Sequence, residues 1–321
     1  MKNKKILITC VGAPPGRGAY ESLKLASFKK IYTCDSDKNC YFNIIKKKNF
    51  FIVDKANSKN YLSSIKSIIY KNKIEILIPC LEPEVIFWSK NKHKIKNLKI
   101  LIPKYQSLNK AVNKLNLNKI AKAIGIKYPK TELLKSTNNL NFPMIIKPIV
   151  GWGMQNFYLL QGKYDLKFYK KKLNNNKYIK QEYIKSNLKN IFAVGLLYDK
   201  NSKCVLSYCS KSLSTLYKLG GPATSGEIIS NVKLINESKM IIDKIGNWMG
   251  PVMVEWIYNK QNNKYYLIDV NPRLWGYSIL GTFNGINFAH NIIRIIYDNK
   301  IKTNKSSRKK FFFRDFVNHK I

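Results

Sequence analysis

The chain has 321 residues, an ordinary apolar content of 45% and a formal net charge of +40 that is carried almost entirely by lysine. No apolar run reaches the about 20 residues of a membrane-spanning helix, and the basic start lacks the small-residue cleavage site of a signal peptide. The lysines are spread over the whole chain without an aromatic RNP pattern or a Cys/His finger, so we expect a solvated basic surface and no nucleic-acid partner.

The cysteines and histidines argue against the commonest metal and redox sites. None of the six cysteines forms a C-x-x-C pair, and the three histidines lie far apart in the sequence. A zinc site or a His-based triad is therefore not predicted, and free thiols in a reducing cytosol are the expectation. We accordingly expect a cytoplasmic protein.

Strands alternate with helices over residues 1–105, which predicts a parallel sheet. We expect a helix from near Ala19, a helix at 60–70, and strands at 4–11, 30–35, 50–54 and 74–80. The turn from Gly12 to Gly18 only loosely resembles the dinucleotide fingerprint G-x-G-x-x-G, and its two prolines remove backbone donors. The sequence thus predicts a Rossmann-like domain without NAD, whose Gly12–Gly18 and Leu81–Glu84 turns lie at the ligand-binding edge.

Two stretches in the middle of the chain have features of a phosphate site. Residues 107–125 have apolar side chains at helical spacing and a final glycine as a C-cap, which predicts one helix. Residues 142–158 predict a strand carrying Lys147, then a loop in which Gly151 and Gly153 flank Trp152. Glycines let backbone N–H groups approach an anion, and a lysine can reach phosphate oxygens. An ordinary hairpin with a flexible turn is the alternative, and the G-K-[ST] of a Walker A sequence is missing.

The next elements suggest a second region built from hairpins. Residues 178–186 predict a strand that carries Gln181 and Glu182 in its middle and whose end suits a hinge between lobes. The polar, Gly-rich residues 215–229 predict a mobile loop near a ligand. A hairpin turning at 199–202 and helices at 236–249 and 283–299 are also expected. The basic tail 301–321 is expected to pack as a terminal helix or strand, with contact to a membrane surface as the alternative.

Residues 251–276 carry the most informative pattern. Two apolar runs, 251–258 and 264–270, flank a polar turn and predict a β-hairpin. Glu255 interrupts the first run, Asp269 lies at the end of the second, and Asn271 shares a strand face with Asp269. Three hard oxygen ligands on adjacent strands suit Mg²⁺, which takes its other ligands from waters and phosphates. An ordinary hairpin with one buried acid paired to a lysine is the alternative.

Taken in order, these stretches resemble the ATP-grasp superfamily, in particular the branch like the carbamoyl-phosphate synthetase large chain and biotin carboxylase. The segments that carry the resemblance are AVNKLNLNKIAKAIGI, FPMIIKPIVGWG, YIKQEYI, KLGGPATSGE, VMVEW and YLIDVNPRLWGYSILGTFNGINF. The last is the most specific, since the family has an acid-x-Asn-Pro-Arg pattern there.

The resemblance implies an α/β fold that is α+β in its second part. A Rossmann-like domain at 1–105 is expected to precede a two-lobed ATP-grasp domain at 106–300. Within the second domain we expect a small lid lobe at about 128–182 and a C-terminal lobe at about 183–300. The basic residues 301–321 would form a C-terminal tail.

The resemblance also implies roles for individual residues. Lys114 and Lys147 look like the lysines that contact the ATP phosphates and the adenine side, and Lys211 falls where a phosphate-contacting cation is often found. Arg273 looks like the residue that faces the transferred phosphate and the acceptor carboxylate, so Arg273, Lys147 and Lys211 are the expected catalytic cations. The other implied contacts are the phosphate-covering loop at Gly151, Trp152 and Gly153, the adenine hinge at Glu182, Tyr183 and Ile184, and the Mg²⁺ ligands Glu255, Asp269 and Asn271, with Mn²⁺ as an alternative metal.

The sequence departs from the family pattern in two places. The second metal acid is usually glutamate, and Asp269 is one methylene shorter, so the metal would lie closer to the strand. The residues after the hinge, Ser186–Asn190, lack the acid that can bind ribose.

The activity implied by the resemblance is ATP-dependent ligation of a carboxylate to an amine through an acyl phosphate, with release of ADP. The alternatives are ATP-dependent carboxylation or carbamoyl-phosphate-type activation of a small carboxylate, and a non-catalytic nucleotide-binding protein. Small carboxylates and amines are the expected partners, and a homodimer is one expectation for the oligomeric state.

Overall fold

Three β-sheets with helices packed around them form the part of the chain that the computed structural model describes, namely residues 1–44, 48–136, 141–185, 190–217, 220–304 and 311–314. The strands of the first sheet, the N-terminal sheet, are β1 (Ile6–Thr9), β2 (Ile31–Asp35), β3 (Phe50–Ile52) and β4 (Ile76–Ile78). They are parallel and follow the order β3-β2-β1-β4. The accompanying helices are α1 (Pro14–Leu25), α2 (Tyr41–Ile44), α3 (Tyr61–Asn72) and α4 (Glu82–Asn91). This sheet confirms the predicted Rossmann-like start.

Two helices of this region begin earlier than predicted. α1 starts at Pro14 instead of near Ala19, because proline fixes φ at a helical value and lacks only an N–H that the first turn leaves unbonded anyway. The segment Leu81–Glu84, predicted as a turn, likewise opens α4, with Pro83 in the first turn. Both helix starts follow strands of a parallel sheet, so they still lie at its carboxyl edge.

The predicted single helix at 107–125 is two helices, α5 (Tyr105–Val112) and α6 (Lys114–Ala123). Asn113 breaks the run with an extended backbone, and its side-chain oxygen accepts hydrogen bonds from the N–H groups of Leu115 and Asn116. A short polar side chain that caps a new helix competes well with continuation of the old one. The break makes Lys114 the first residue of α6.

The second sheet, the small sheet, is antiparallel and has its own core. Its strands are β5 (Thr131–Leu133), β6 (Met144–Pro148), β7 (Tyr158–Leu160) and β8 (Tyr178–Glu182), and α7 (Lys163–Lys172) accompanies them. The strand order is β5-β8-β6-β7. Its buried cluster is small and separate from the two large ones, and contains Leu134, Met144, Ile146 and Leu160. The small sheet therefore packs around a hydrophobic core of its own.

The third sheet, the large sheet, is also antiparallel. Its strands are β9 (Ile191–Tyr198), β10 (Cys204–Tyr217), β11 (Gly220–Ile229), β12 (Gly250–Asn259), β13 (Lys264–Asn271) and β14 (Phe311–Phe313), in the order β13-β12-β9-β10-β11-β14. The helices are α8 (Val232–Ile245), α9 (Ile279–Phe283) and α10 (Phe288–Ile296). Three tail residues therefore pack as a strand, the outcome that the sequence favoured over membrane contact.

Residues 215–229, predicted as a mobile loop, belong to β10 and β11 where they are described. The pairing of these strands shifts register between Ser212 and Tyr217, and such irregularities let a polar, Gly-rich segment remain in a ladder. The Ser214 hydroxyl also lies 2.7 Å from Thr224 Oγ1. Side-chain hydrogen bonds thus connect β10 and β11 in a segment that lacks the apolar alternation by which strands are predicted.

The N-terminal and large sheets share their interior. One buried cluster includes Leu7 and Val254, and the other includes Ile8 and Met253, so each joins residues of both sheets.

None of the described helices combines the length and the apolar character that a bilayer crossing requires.

Replacing Gly195 by alanine is expected to lower the free energy of unfolding by about 1–3 kcal/mol. Gly195 lies in β9, and a Cβ there would overlap the ring of the buried Trp275. Denaturant unfolding measures the effect. In the matched control Gly18→Ala, the new Cβ would have no neighbour closer than 3.6 Å, and because Gly18 lies inside α1 we expect a gain of roughly 0.5–1 kcal/mol. Equal stability of the two variants would contradict this account of Gly195.

Candidate active site

A cleft of about 360 Å³ is lined by residues of the small and large sheets, and by segments that follow strands of the N-terminal sheet. That volume is typical of sites for small molecules. The small sheet contributes β6 and β8, the large sheet contributes β12 and β13, and the N-terminal region contributes Pro14 of α1 and Leu81 before α4. The sequence-predicted residues that line the cleft are Lys114, Lys147, Gly151, Trp152, Gly153, Glu182, Tyr183, Ile184, Glu255, Asp269, Asn271 and Arg273.

Two carboxylates face each other on the large sheet. Glu255 on β12 pairs directly with Asp269 on β13, and Asn271 lies two residues further on the same strand. The register shifts just after this pair, which leaves Ile268 in a bulge, and bulges re-aim the neighbouring side chains. Burial, and then the Asp269 carboxylate, raise the pKa of Glu255 to about 7. Carboxylates forced together in this way are stabilised by a cation between them.

The protein's own cations contact Asp269 and Asn271. Lys114 Nζ lies 3.6 Å from Asp269 Oδ1 and donates to the Gly151 carbonyl oxygen at 3.2 Å. Arg273 Nη2 donates to Asn271 Oδ1 at 3.1 Å, and its Nη1 donates to the Leu274 carbonyl oxygen at 3.0 Å. The oxygens therefore already attract positive charge, which is the behaviour expected of a cation site.

The oxygen atoms of Glu255, Asp269 and Asn271 suit a hard metal ion. Among the described residues, no group of three His, Cys, Asp or Glu side chains could hold a metal by itself. Two carboxylates and one amide oxygen form an incomplete set, which suits an ion that takes its other ligands from waters and phosphates. Magnesium, or manganese, fits these donors, and zinc does not.

Lys147 differs from the other two cations of the cleft in its contacts within the described part of the chain. It lies on β6, and no described residue accepts a hydrogen bond from its Nζ. Burial, and then the Lys114 ammonium, lower the pKa of Lys147 to about 8, so the group is still mostly charged at neutral pH. An ammonium without a protein acceptor is available to an anion in the cleft.

The end of β8 forms the other part of the cleft. The Glu182 N–H donates to the Lys130 carbonyl oxygen at 2.8 Å, and its Oε2 accepts from the Lys130 N–H at 3.0 Å. Gln181 Nε2 donates to Thr131 Oγ1 at 2.7 Å. These bonds fix the segment, so that its backbone and the buried Ile184 line the cleft. Ile145 and Met253 add further apolar surface, which gives the cleft an apolar half and a charged half.

The glycine loop lies between these two halves. The Gly151 carbonyl oxygen accepts a hydrogen bond from Lys114 Nζ, and the Gln155 N–H donates to the Trp152 carbonyl oxygen at 3.2 Å. Gly153 has a φ of 64°, a left-handed conformation that glycine adopts without strain. Gly151, Trp152 and Gly153 all line the cleft.

Lys211 does not line the cleft, although its neighbour Ser212 does. Both lie on β10, where successive side chains point to opposite faces. The sequence alone could therefore have indicated that Lys211 and Ser212 face different sides of the sheet. Trp275 and Tyr277, just after Arg273, also line the cleft and were not predicted. Of the segment 186–190, which lacks an acid that could bind ribose, residues 186–189 lie outside the described part of the chain.

The chain is similar to known proteins in its family model and in its fold. The family model for the ATP-grasp domain matches residues 111–277. No curated protein sequence matches the chain. An L-amino acid ligase from Bacillus licheniformis is 14% identical with a TM-score of 0.70, over 92% of this chain and 75% of that chain. Biotin carboxylase from Campylobacter jejuni, in a β-γ-ATP complex, is 15% identical with a TM-score of 0.72, over 94% and 73%. N5-carboxyaminoimidazole synthetase from Staphylococcus aureus, in an ADP complex, is 16% identical with a TM-score of 0.69, over 94% and 81%. At such identities the likeness shows the fold.

Proposed function

The chain belongs to the ATP-grasp family, and from that premise we propose that it is an ATP-dependent ligase that joins a carboxylate to an amine. The observation that carries the proposal is the cleft itself, in which an apolar half adjoins a half where three cations face two carboxylates. A nucleotide has the matching division into a flat base and a polyanionic chain. The solved relatives include an L-amino acid ligase, which supports the class of reaction.

The proposed nucleotide contacts follow from this division. The base lies in the apolar half, against Ile145 and Ile184, where the backbone at Glu182–Ile184 supplies hydrogen bonds. The phosphates lie in the charged half, near Lys114 and Lys147, under the Gly151–Gly153 loop. Because Lys147 has no described acceptor of its own, it is the better candidate for the reacting phosphate.

Glu255, Asp269 and Asn271 would hold magnesium, with manganese as an alternative. The bound ion supplies neutralisation of the phosphate charge. Arg273, which already bonds to Asn271 Oδ1, is in position to face both the phosphate and the carboxylate substrate. The residues thus order the reactants without a protein nucleophile.

The proposed reaction has two steps. A carboxylate oxygen of the substrate attacks the γ-phosphorus of ATP, the bond to the bridging oxygen breaks, and ADP leaves. The amine then attacks the acyl carbon, phosphate leaves with the bonding electrons, and the amine nitrogen gives up a proton. Lys147 and Arg273 stabilise the charge on the transferred phosphoryl group, while the glycine loop excludes water from the acyl phosphate.

Release of ADP that requires both a carboxylate and an amine is the expected result of a substrate screen. Purified protein with Mg-ATP is given pooled carboxylates and amino acids, with and without pooled amines, and both ADP and phosphate are measured. We expect equal amounts of the two products, and no turnover after EDTA treatment. ADP release that needs bicarbonate but no amine would favour a carboxylase-type reaction instead. ATP binding without turnover in every pool would contradict the proposal.

A further inference from the structure

Two buried carboxylates, Glu82 and Glu84, begin α4, and each is 3% exposed. Glu84 is fully bonded inside the N-terminal region. It accepts hydrogen bonds from Thr9 Oγ1, from the Tyr61 hydroxyl at 2.9 Å and from the Leu81 N–H at 3.2 Å. Glu84 is therefore a structural residue, since these donors hold the start of α4 against β1 and α3.

Glu82 has no comparable set of donors. Its Oε1 is buried and has no hydrogen-bond partner among the described residues. Burial, and then the Asp269 carboxylate, raise its pKa to about 8, and the positive charges of Lys114 and Arg273 oppose this rise. A buried carboxylate is costly unless it is paired, so this one points to a partner acquired in another state of the protein.

Arg273 has a buried donor atom that lacks an acceptor, just as Glu82 has a buried acceptor atom that lacks a donor. Its Nε is buried without a partner among the described residues, while Nη2 bonds to Asn271 Oδ1. That amide oxygen is also the proposed magnesium ligand. A metal ion on Asn271 Oδ1 would repel a guanidinium bonded to the same atom, so Arg273 would have to give up this bond. The released guanidinium then needs an anionic acceptor within the same cluster.

We propose that Glu82 is a positioning residue, which takes over the Arg273 guanidinium when the metal–nucleotide complex engages Asn271. The N-terminal region would in this way hold Arg273 in place for the reaction, across the cleft from the strand that carries it. Because the inference requires magnesium and nucleotide at the site, it rests on the proposed function. This exchange of partners accounts for both buried atoms without a partner, because Glu82 supplies an acceptor and Arg273 supplies a donor.

The variant Glu82→Gln tests the exchange through binding and stability. Calorimetric titration gives the Kd for ATP, with Mg²⁺ and with EDTA, and thermal unfolding gives the Tm of the free protein. We expect the Kd for Mg-ATP to rise about tenfold, the effect of losing one charge-assisted bond of ordinary strength. We expect no change in the Kd for metal-free ATP. The Tm of the free protein should change little, because the raised pKa leaves Glu82 mostly protonated and neutral at pH 7, and glutamine is neutral and of similar size.

The matched control is Glu84→Gln, which should lower the Tm and leave the magnesium dependence of ATP binding unchanged. A Glu82→Gln variant that behaves like this control would overturn the inference. The double variant Glu82→Gln with Arg273→Lys should bind Mg-ATP as weakly as Arg273→Lys alone, and additive losses would also overturn it. Wild-type protein that binds no Mg-ATP would contradict the proposed function itself, whereas normal wild-type binding with an unaffected Glu82→Gln contradicts only this inference.

Discussion

Replacing Asp269 by asparagine is expected to lower the rate of ADP release by roughly a hundred- to a thousandfold. The side chain keeps its size but loses one of the two carboxylates that face each other across β12 and β13. A neutral amide at this position leaves Glu255 as the one charged member of the proposed magnesium set, and the phosphate charge is then less well balanced. Steady-state kinetics at several magnesium concentrations measure the loss, and the magnesium requirement should rise with it.

The control for this variant is Asp243→Asn. Asp243 accepts a hydrogen bond from the Tyr198 hydroxyl at 2.9 Å and does not line the cleft, and asparagine keeps the accepting oxygen. We expect wild-type turnover from this control. If Asp269→Asn turned over as fast as Asp243→Asn, Asp269 would not be a metal ligand. Thermal unfolding of both variants separates a lost metal site from a lost fold.

Elements with a regular apolar period were predictable from the sequence. The strands of the N-terminal sheet and the hairpin of β12 and β13 follow their apolar runs, whereas the pairing of Glu255 with Asp269 depends on the bulge at Ile268. The element boundaries that were predicted wrongly lie where a local residue preference overrides the apolar periodicity. Asn113 caps a second helix inside one amphipathic run, and Pro14 begins a helix where a turn was expected.

The site was less predictable than the fold, because it joins residues that are distant in the chain. Lys114 follows an ordinary amphipathic run, and only the resemblance gave it a role in the cleft. Glu82 and Arg273 are far apart in sequence, and no periodicity indicates that they act on each other. Lys211 is not among the residues that line the cleft, and its role stays a prediction. The short reach of Asp269 is accompanied by the bulge at Ile268, which no sequence pattern announced.

Replacing Lys147 by methionine is expected to raise the Kd for ATP and to lower kcat/KM by about a hundredfold or more. The methionine keeps most of the apolar stem but removes the ammonium that has no acceptor among the described residues. The fold should not suffer, because burial lowers the pKa of Lys147 and the charged form is therefore the one that the folded protein disfavours. Titration calorimetry, single-turnover kinetics and thermal unfolding test the three parts of this expectation.

Lys180→Met is the matched control, because Lys180 is a buried lysine of the same small sheet. Lys180 pairs with Ile146 of β6, one residue before Lys147, so the two lysines lie on opposite faces of the sheet. Its Nζ donates to the Ser136 carbonyl oxygen at 3.0 Å and lies 3.7 Å from Glu132 Oε2. Removing it breaks a buried pair and should lower the Tm while leaving the Kd for ATP unchanged. The opposite pattern, with Lys180→Met impairing binding and Lys147→Met impairing only the fold, would move the phosphate site to the other face of the small sheet.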